Sequence, residues 1–262
     1  MDSPAFTPPL LFISDAHLGG FSDSENQRIE SELIQLLNYC QCNKIRIAIL
    51  GDLFDYWMEY PKHVPQLGQR LLNRFETFNE VLGPTLFITG NHDNWTRGHL
   101  PSRGFHLVND AFVSHLNGQK LMALHGDGLS DKDYNLPRPL MHRILRNDTF
   151  VRLFQGIFPP KAGIGLMKYF STITRQLDEG PKKQQTLNRW ARHQLKKSNL
   201  DLILCGHDHI PRREQFAFGT YINLGTFYHH RTMAYYNNDG ITLVCWEPNK
   251  QSLTQFETNN SS

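Results

Sequence analysis

No apolar run in the 262 residues approaches the ~20 needed to cross a bilayer as a helix, so a membrane-spanning helix is not expected. Cysteine is scarce. The four residues Cys40, Cys42, Cys205 and Cys245 contain no C-x-x-C pair, which excludes a structural zinc ribbon and leaves no disulfide framework. Cys205 and Cys245 fall in strand-like runs and read as small buried hydrophobes. Met1 to Pro9 lacks a basic start followed by an apolar core, so no secretory leader is expected and the cytoplasm is the expected compartment. There is no internal repeat and no low-complexity linker. The charge imbalance is also small, +2, and by itself says little about partners. A hydrophobic fraction of 39% and a charged fraction of 20% describe a soluble globular chain. The length suits one α/β domain, residues 1–262, with room for an insertion.

Histidine, in contrast, is plentiful at thirteen residues, and several histidines share one setting. The apolar run Ile45 to Leu50 reads as a buried strand and stops at Gly51-Asp52-Leu53-Phe54-Asp55. A strand that ends on glycine and then aspartate presents a carboxylate at its carboxyl end, where α/β folds place their ligands. An Asp after a Gly also suits a turn or a helix cap. Recurrence separates the two readings. Leu10–Ile13 is followed by Ser14-Asp15-Ala16-His17, residues 86–89 by Gly90-Asn91-His92-Asp93, residues 121–124 by His125-Gly126-Asp127, and residues 200–205 by Gly206-His207-Asp208-His209. Five strand ends thus deliver Asp, His and Asn to one rim. Asp15 and His17, two apart, share a face in extended backbone.

Between these ends the spacing predicts amphipathic helices over 24–42 (Ile29, Leu33, Leu36, Leu37, Cys40) and 66–82 (Leu67, Leu71, Leu72, Phe75, Phe78). The first makes a strand–helix–strand unit with a parallel crossover. Phe54, Tyr56, Trp57 and Tyr60 form either a wall for an apolar or ring-bearing ligand or a corner of the core. Asn117-Gly118 marks a type I′ hairpin between strands 111–116 and 120–124. From Glu214 to Phe256, short strands and turns predict a mostly antiparallel sheet.

The segment from about 131 to 197 is different in kind. Strand patterning stops, and Leu140, Met141, Ile144, Leu145, Phe150 and Phe154 lie on a helical stripe among arginines. Fourteen lysines and arginines against five acidic residues give it a net +9, leaving −7 for the rest of the chain. A basic, apolar-faced helical insertion suits a lid over an acidic amphiphile or a contact with an anionic membrane surface. Packing of the stripe within its own subdomain is the alternative.

Asp, Asn and His donors together favour Mn²⁺, Fe²⁺ or Zn²⁺ over Ca²⁺. Two such ions bridged by a carboxylate can hold phosphoryl oxygens and activate water. The motifs D-A-H at 15–17, G-D at 51–52, G-N-H-D at 90–93, H-G-D at 125–127 and G-H-D-H at 206–209 stand in an order that resembles the calcineurin-like metallophosphoesterase superfamily, over nearly the whole chain outside the insertion. The resemblance implies a four-layer α/β/β/α sandwich with a helical lid insertion. It implies one ion on Asp15, His17, Asp52 and His209, and a second on Asp52, Asn91, His125 and His207. It also places His92 near the leaving group, to donate a proton or stabilise charge, with Asp93 orienting it. Mn²⁺ is the first choice of metal.

Within the superfamily the likeness is greatest to the UDP-2,3-diacylglucosamine pyrophosphatases of lipid A biosynthesis. It rests on Gly51–Asp55 running into aromatics, on His125-Gly126-Asp127-Gly128-Leu129, and on the insertion that follows. The implied substrate is a nucleotide-linked acylated sugar, cleaved at its pyrophosphate to UMP and 2,3-diacylglucosamine 1-phosphate, with a lid that grips acyl chains. The expected location is the cytoplasmic face of the inner membrane, as a peripheral protein. Substrate contacts are expected from Asn91, His92, Asp133 and His207, with Arg175 and Lys182 as further candidates. The best-known members carry Arg where this chain has His92; Arg is a fixed cation, whereas His can also release a proton. The alternative is a metal-dependent phosphodiesterase or phosphatase acting on a soluble nucleotide or other phosphoester. A nucleic-acid partner is not expected, because the basic charge is interleaved with the apolar stripe.

Overall fold

Five of the strands end at a loop that carries polar, ligand-type residues. The computed structural model describes residues 7–177 and 181–257, with the side chains of 169–183, those of Arg175 and Lys182 included, outside the described set. β1 (Leu10–Ile13), β2 (Arg46–Leu50), β3 (Thr85–Ile88) and β4 (Phe105–Val108) run parallel. They are joined by α1 (Asp23–Cys42), α2 (Gln69–Leu82) and the short α3 (His99–Ser102). Ser22 caps α1 by accepting from the Glu25 N–H, with Asp23 and Glu25 in the first turn favouring the helix dipole.

β5 (Ala111–Leu116) and β6 (Gln119–Leu124) form the expected hairpin, with φ of 47° at Asn117 and 79° at Gly118. A single 3-10 turn, Lys132–Tyr134, leads to α4 (Leu140–Leu145), α5 (Asp148–Ile157), α6 (Pro160–Leu177) and α7 (Pro181–Lys197). Then come β7 (Leu202–Cys205), β8 (Arg212–Phe216), β9 (Gly219–Asn223), α8 (Phe227–His230), β10 (Thr232–Asn237), β11 (Gly240–Glu247) and β12 (Ser252–Gln255).

The strands make two sheets, ordered β12-β11-β10-β1-β2-β3-β4 and β5-β6-β7-β9-β8. The alternation of side chains along each strand explains the layering. Leu10, Phe12, Ala48 and Leu50 of the first sheet meet Leu121, Ala123, Leu202, Leu204 and Ile222 of the second in one buried cluster. The opposite faces of the same strands, Leu11, Ile13, Ile47 and Ile49, pack against Leu33, Leu36, Leu71 and Phe75 of α1 and α2. On the far side, Met122, Ile203 and Tyr221 receive Leu187, Trp190, Ala191 and Leu195 of α7. The result is a four-layer α/β/β/α sandwich.

Two points refine the sequence reading. The strands after Glu214 divide between the sheets, and β9 runs parallel to β7. Within 131–197, α7 is the outer layer of the sandwich, while α4, α5 and the start of α6 pack through Leu145, Val151, Phe154 and Met167 on Met58, Tyr60 and Trp95.

Candidate metal centre

The loops after β1, β2 and β3 of one sheet and after β6 and β7 of the other converge on a single buried cluster. Asp15, His17, Asp52, His125, His207 and His209 are each no more than 8% exposed. His17 Nε2 and His209 Nε2 lie 3.3 Å apart, and Asp15 Oδ1 is 3.3 Å from His209 Nε2 and 3.7 Å from His17 Nε2. Beside them, Asp52 Oδ2 is 3.2 Å from His125 Nε2, which is 3.0 Å from Asn91 Oδ1. The His207 ring lies 4.8 Å from that of His125. Asp52 Oδ2 also faces His17 Nε2 at 3.9 Å, so its carboxylate stands between the two groups. Asp15–His17–His209 and Asp52–His125–His207 each bring three ligand atoms within 4.8 Å of one another.

Backbone geometry holds this convergence under strain. Asp15, His17, Asp52, His207 and His209 all adopt positive φ, between 46° and 73°. For a non-glycine residue this costs roughly 1–3 kcal/mol each and is characteristic of functional sites. Gly51, at φ 84°, is required for a second reason: a Cβ there would sit 2.6 Å from His125 Nδ1.

The electrostatics call for cations. Burial pushes the Asp52 carboxyl up, but His125, His92 and His17 outweigh it and hold the group far below the usual carboxylate range. Burial disfavours the charged forms of His17 and His125, yet Asp15 and Asp55 around the first, and Asp52 around the second, raise both to about 10. Asp15 Oδ1 is a buried acceptor with no hydrogen-bond partner. The O- and N-donor set fits divalent transition metals; Asp15, His17 and His209 make one candidate group and Asp52, His125 and His207 another, with Asn91 Oδ1 beside the second.

A supporting layer orients these donors. His125 Nδ1 donates to the Leu50 carbonyl at 2.9 Å, which aims Nε2 at the centre. His17 Nδ1 lies 3.1 Å from Asp55 Oδ1. His92 Nδ1 donates to the Asp55 carbonyl at 3.0 Å, and His92 Nε2 is 4.0 Å from Asp52 Oδ2. Burial pushes the His92 pKa down. Asp93 plays another part than the orienting one expected for it. Its oxygens accept from the Leu53 N–H at 2.9 Å and the Gly90 N–H at 2.7 Å, tying the second and third loops together.

Asp133 is not brought to the cluster. Its side chain is exposed, its N–H is capped by Asp131 at 2.9 Å, and its carbonyl accepts from Lys197. Two contributors went unassigned in the sequence. Asp55 stands three residues after Asp52 in the same motif, and that spacing was the available signal. Arg146 had no local signal: it reaches back from the end of α4 to the Gly90 carbonyl (2.7 Å), the Thr89 hydroxyl (2.9 Å) and Asp127 (3.0 Å).

A cavity of about 440 Å³ opens beside Asn91 and His92, walled by Tyr56, Trp57, Trp95, Met141, Leu145 and Phe154. The aromatics after Asp52 serve both expected roles: Phe54 is wholly buried in the core, and Tyr56 and Trp57 line the cavity.

The family model described as calcineurin-like phosphoesterase matches residues 8–211. A UDP-2,3-diacylglucosamine hydrolase from Porphyromonas gingivalis is 27% identical over 225 residues, 77% of this chain and 83% of that one. A protein of the same name from Vibrio cholerae serotype O1 is 25% identical over 244 residues, 90% and 97% of the two chains. Among solved structures, a phosphoesterase from E. coli, Yfce, aligns over 95% of this chain and 99% of its own with 16% identity and a TM-score of 0.42.

Proposed function

This chain belongs to the calcineurin-like phosphoesterase family, and from that premise we propose that its substrate is UDP-2,3-diacylglucosamine, cleaved at the pyrophosphate to UMP and 2,3-diacylglucosamine 1-phosphate. It is a metal-dependent phosphoester hydrolase, and among the described residues no helix is long and apolar enough to cross a membrane. The observation that carries the proposal is the apolar cavity opening at Asn91 and His92. A phosphoesterase for small polar esters has no use for Trp95, Met141 and Phe154 beside its phosphate site, whereas an acyl chain does.

Two divalent ions, Mn²⁺ in this reading, supply when bound the positive charge that phosphoryl oxygens need and the acidity that makes water a nucleophile. The chain's own residues do the rest. Asp52, fixed by the His92 N–H at 2.9 Å, bridges the two donor groups. Asp15, engaged by the His207 N–H at 3.0 Å, fixes the loop after β7 against the loop after β1. Because His92 commits Nδ1–H to Asp55, it offers substrate its Nε2, which as imidazolium gives a proton to the departing oxygen and when neutral accepts one. Asn91 places an amide within reach of the same phosphate. Tyr56, Trp57 and the α4–α5 side chains exclude water from the acyl chain. Exposed Leu140, Met141, Leu153 and Ile157 on the same helices, among basic residues, suit contact with the anionic inner face of a membrane.

The test is Mn²⁺-dependent UMP release from UDP-2,3-diacylglucosamine, with Asp52→Ala as the inactive control and Phe154→Asp as the cavity variant. Release that falls at least tenfold in Phe154→Asp, with hydrolysis of bis(p-nitrophenyl) phosphate retained, supports the acylated substrate. No release by the metal-loaded wild type, with the soluble diester still cleaved, refutes it.

A further inference from the structure

Helix α4 has a second cavity against its other side, and nothing in the hydrolytic reaction uses it. This space, about 560 Å³, is lined by Lys132, Asn135, Arg138, Arg143, Arg146 and Asn147 among others, and no acidic side chain lines it. Arg138 pairs with Asp110, and Arg146 pairs with Asp127 at 3.0 Å. Lys132 and Arg143 make no ion pair among the described residues and are exposed. The lining therefore carries about two positive charges beyond those already matched.

The donors are also incompletely used. Arg138 and Arg146 have side chains only 7% and 10% exposed, and the Nε–H of each is buried with no hydrogen-bond acceptor. Arg138 Nε lies 3.7 Å from Asp127, beyond hydrogen-bond reach. A buried guanidinium N–H without an acceptor is costly, and both groups add positive charge behind the exposed Lys132 and Arg143 that an incoming anion meets first. Asn135 and Asn147 add neutral amide donors to the same wall.

We propose that this cavity is a second site for a phosphate group, separate from the metal centre, in which Arg138, Arg143, Arg146 and Lys132 receive a dianion or a phosphodiester. A fork of guanidinium donors suits phosphate geometry better than a single ammonium does. The phosphate belongs either to a free phosphate compound or to a lipid headgroup. An adjoining groove of Leu140, Ile144 and Phe150 shares Arg143 and Asn147 with the cavity and gives a lipid chain somewhere to lie. This assignment does not depend on which phosphoester the metal centre cleaves.

The experiment is calorimetric titration of the Mn²⁺-loaded enzyme with inorganic phosphate, comparing wild type with the double variant Lys132→Gln/Arg143→Gln. Both residues are exposed, and neither belongs to a candidate metal-binding group. The wild type is expected to show two classes of site. The variant should lose one class, or weaken it at least tenfold, while cleaving bis(p-nitrophenyl) phosphate at an unchanged rate. The conservative pair Lys132→Arg/Arg143→Lys should keep both classes. A single class in wild type, or two undiminished classes in the variant, overturns the proposal. Flotation with phosphatidylcholine vesicles containing phosphatidylglycerol then separates the sources. Flotation lost in the variant assigns the site to a lipid headgroup. Unchanged flotation together with the lost phosphate class assigns it to a free phosphate compound.

Discussion

Removing the Arg146 guanidinium while keeping its stem, as in Arg146→Met, should be among the most damaging changes outside the metal ligands. Arg146 bonds the Thr89 hydroxyl and the Thr89, Gly90 and Asn109 carbonyls, and it pairs with Asp127. The hydrogen bonds to neutral partners contribute about 0.5–1.5 kcal/mol net each. The ion pair decides the size of the effect, because breaking a buried pair leaves an uncompensated charge at about 3–5 kcal/mol. Arg138 and His142, 3.7 and 3.6 Å from the same Asp127 oxygen, remain and hold the cost near the lower end. A loss of about 3–4 kcal/mol corresponds to a Tm drop of roughly 6–16 °C for a chain of this size. Because Gly90 precedes Asn91, metal affinity should fall with stability, by about the 10–100-fold typical of an outer support to a metal ligand. Thermal unfolding and Mn²⁺ titration read both effects. Adding Asp127→Asn to Arg146→Met should recover about 1 kcal/mol or more by removing the stranded charge. If Arg146→Met unfolds within ~1 kcal/mol of wild type and binds Mn²⁺ equally well, the ion-pair reasoning is wrong.

Metal uptake should depend on pH in a definite sense. His17 and His125 are raised to about 10 without metal, so both carry protons at neutral pH that an incoming ion must expel. Apparent affinity should therefore climb up to tenfold per proton for each pH unit between 7 and 9, and calorimetry in buffers of different ionisation enthalpy should count about two protons released. The same raised values set the stability of the metal-free form: their contribution is complete below the unfolded histidine pKa near 6.5 and fades as pH rises toward 10. Asp55→Asn should weaken metal binding roughly 10–100-fold, because it removes the carboxylate partner of His17 Nδ1. His92→Ala should lower kcat by about 10²–10⁴. His92→Arg should restore part of that rate by supplying a fixed cation, and a rate no better than His92→Ala would count against the role given to His92.

The ligand loops were legible because each follows a run of buried strand residues, so burial and chemistry change at the same position along the chain. Helices α1 and α2 declared themselves through Ile29, Leu33, Leu71 and Phe75, which are fully or almost fully buried, and the Asn117-Gly118 turn through its positive φ values. Strand β4 did not, because only Phe105 of its four residues is buried and His106 interrupts the apolar pattern. The division of the last strands between two sheets depends on long-range pairings such as Leu11 with Tyr235 and Cys205 with Asn223, which local periodicity does not encode. Helix α7 carries a stripe much like that of its neighbours, and its place on the second sheet follows from which surface Trp190 and Ala191 find. The resemblance implied that Asp93 orients His92, yet the Leu53 and Gly90 N–H groups claim both its oxygens. The tie between Asp127 and Arg146 spans 19 residues and had no signature at all.

The origin of the ligands in both sheets has a mechanical consequence. Asp15, His17, Asp52 and Asn91 hang from strands of one layer, and His125, His207 and His209 from strands of the other, so the centre sits across the seam where the two layers meet. Bound ions would act as rivets there, resisting any sliding or prising apart of the sheets that side-chain packing alone would allow. Chelation should then loosen the seam from its metal-bearing end. Amide exchange should rise first at Leu50, Ile88 and Leu124, the strand ends nearest the ligands, and last at the far ends of the same strands.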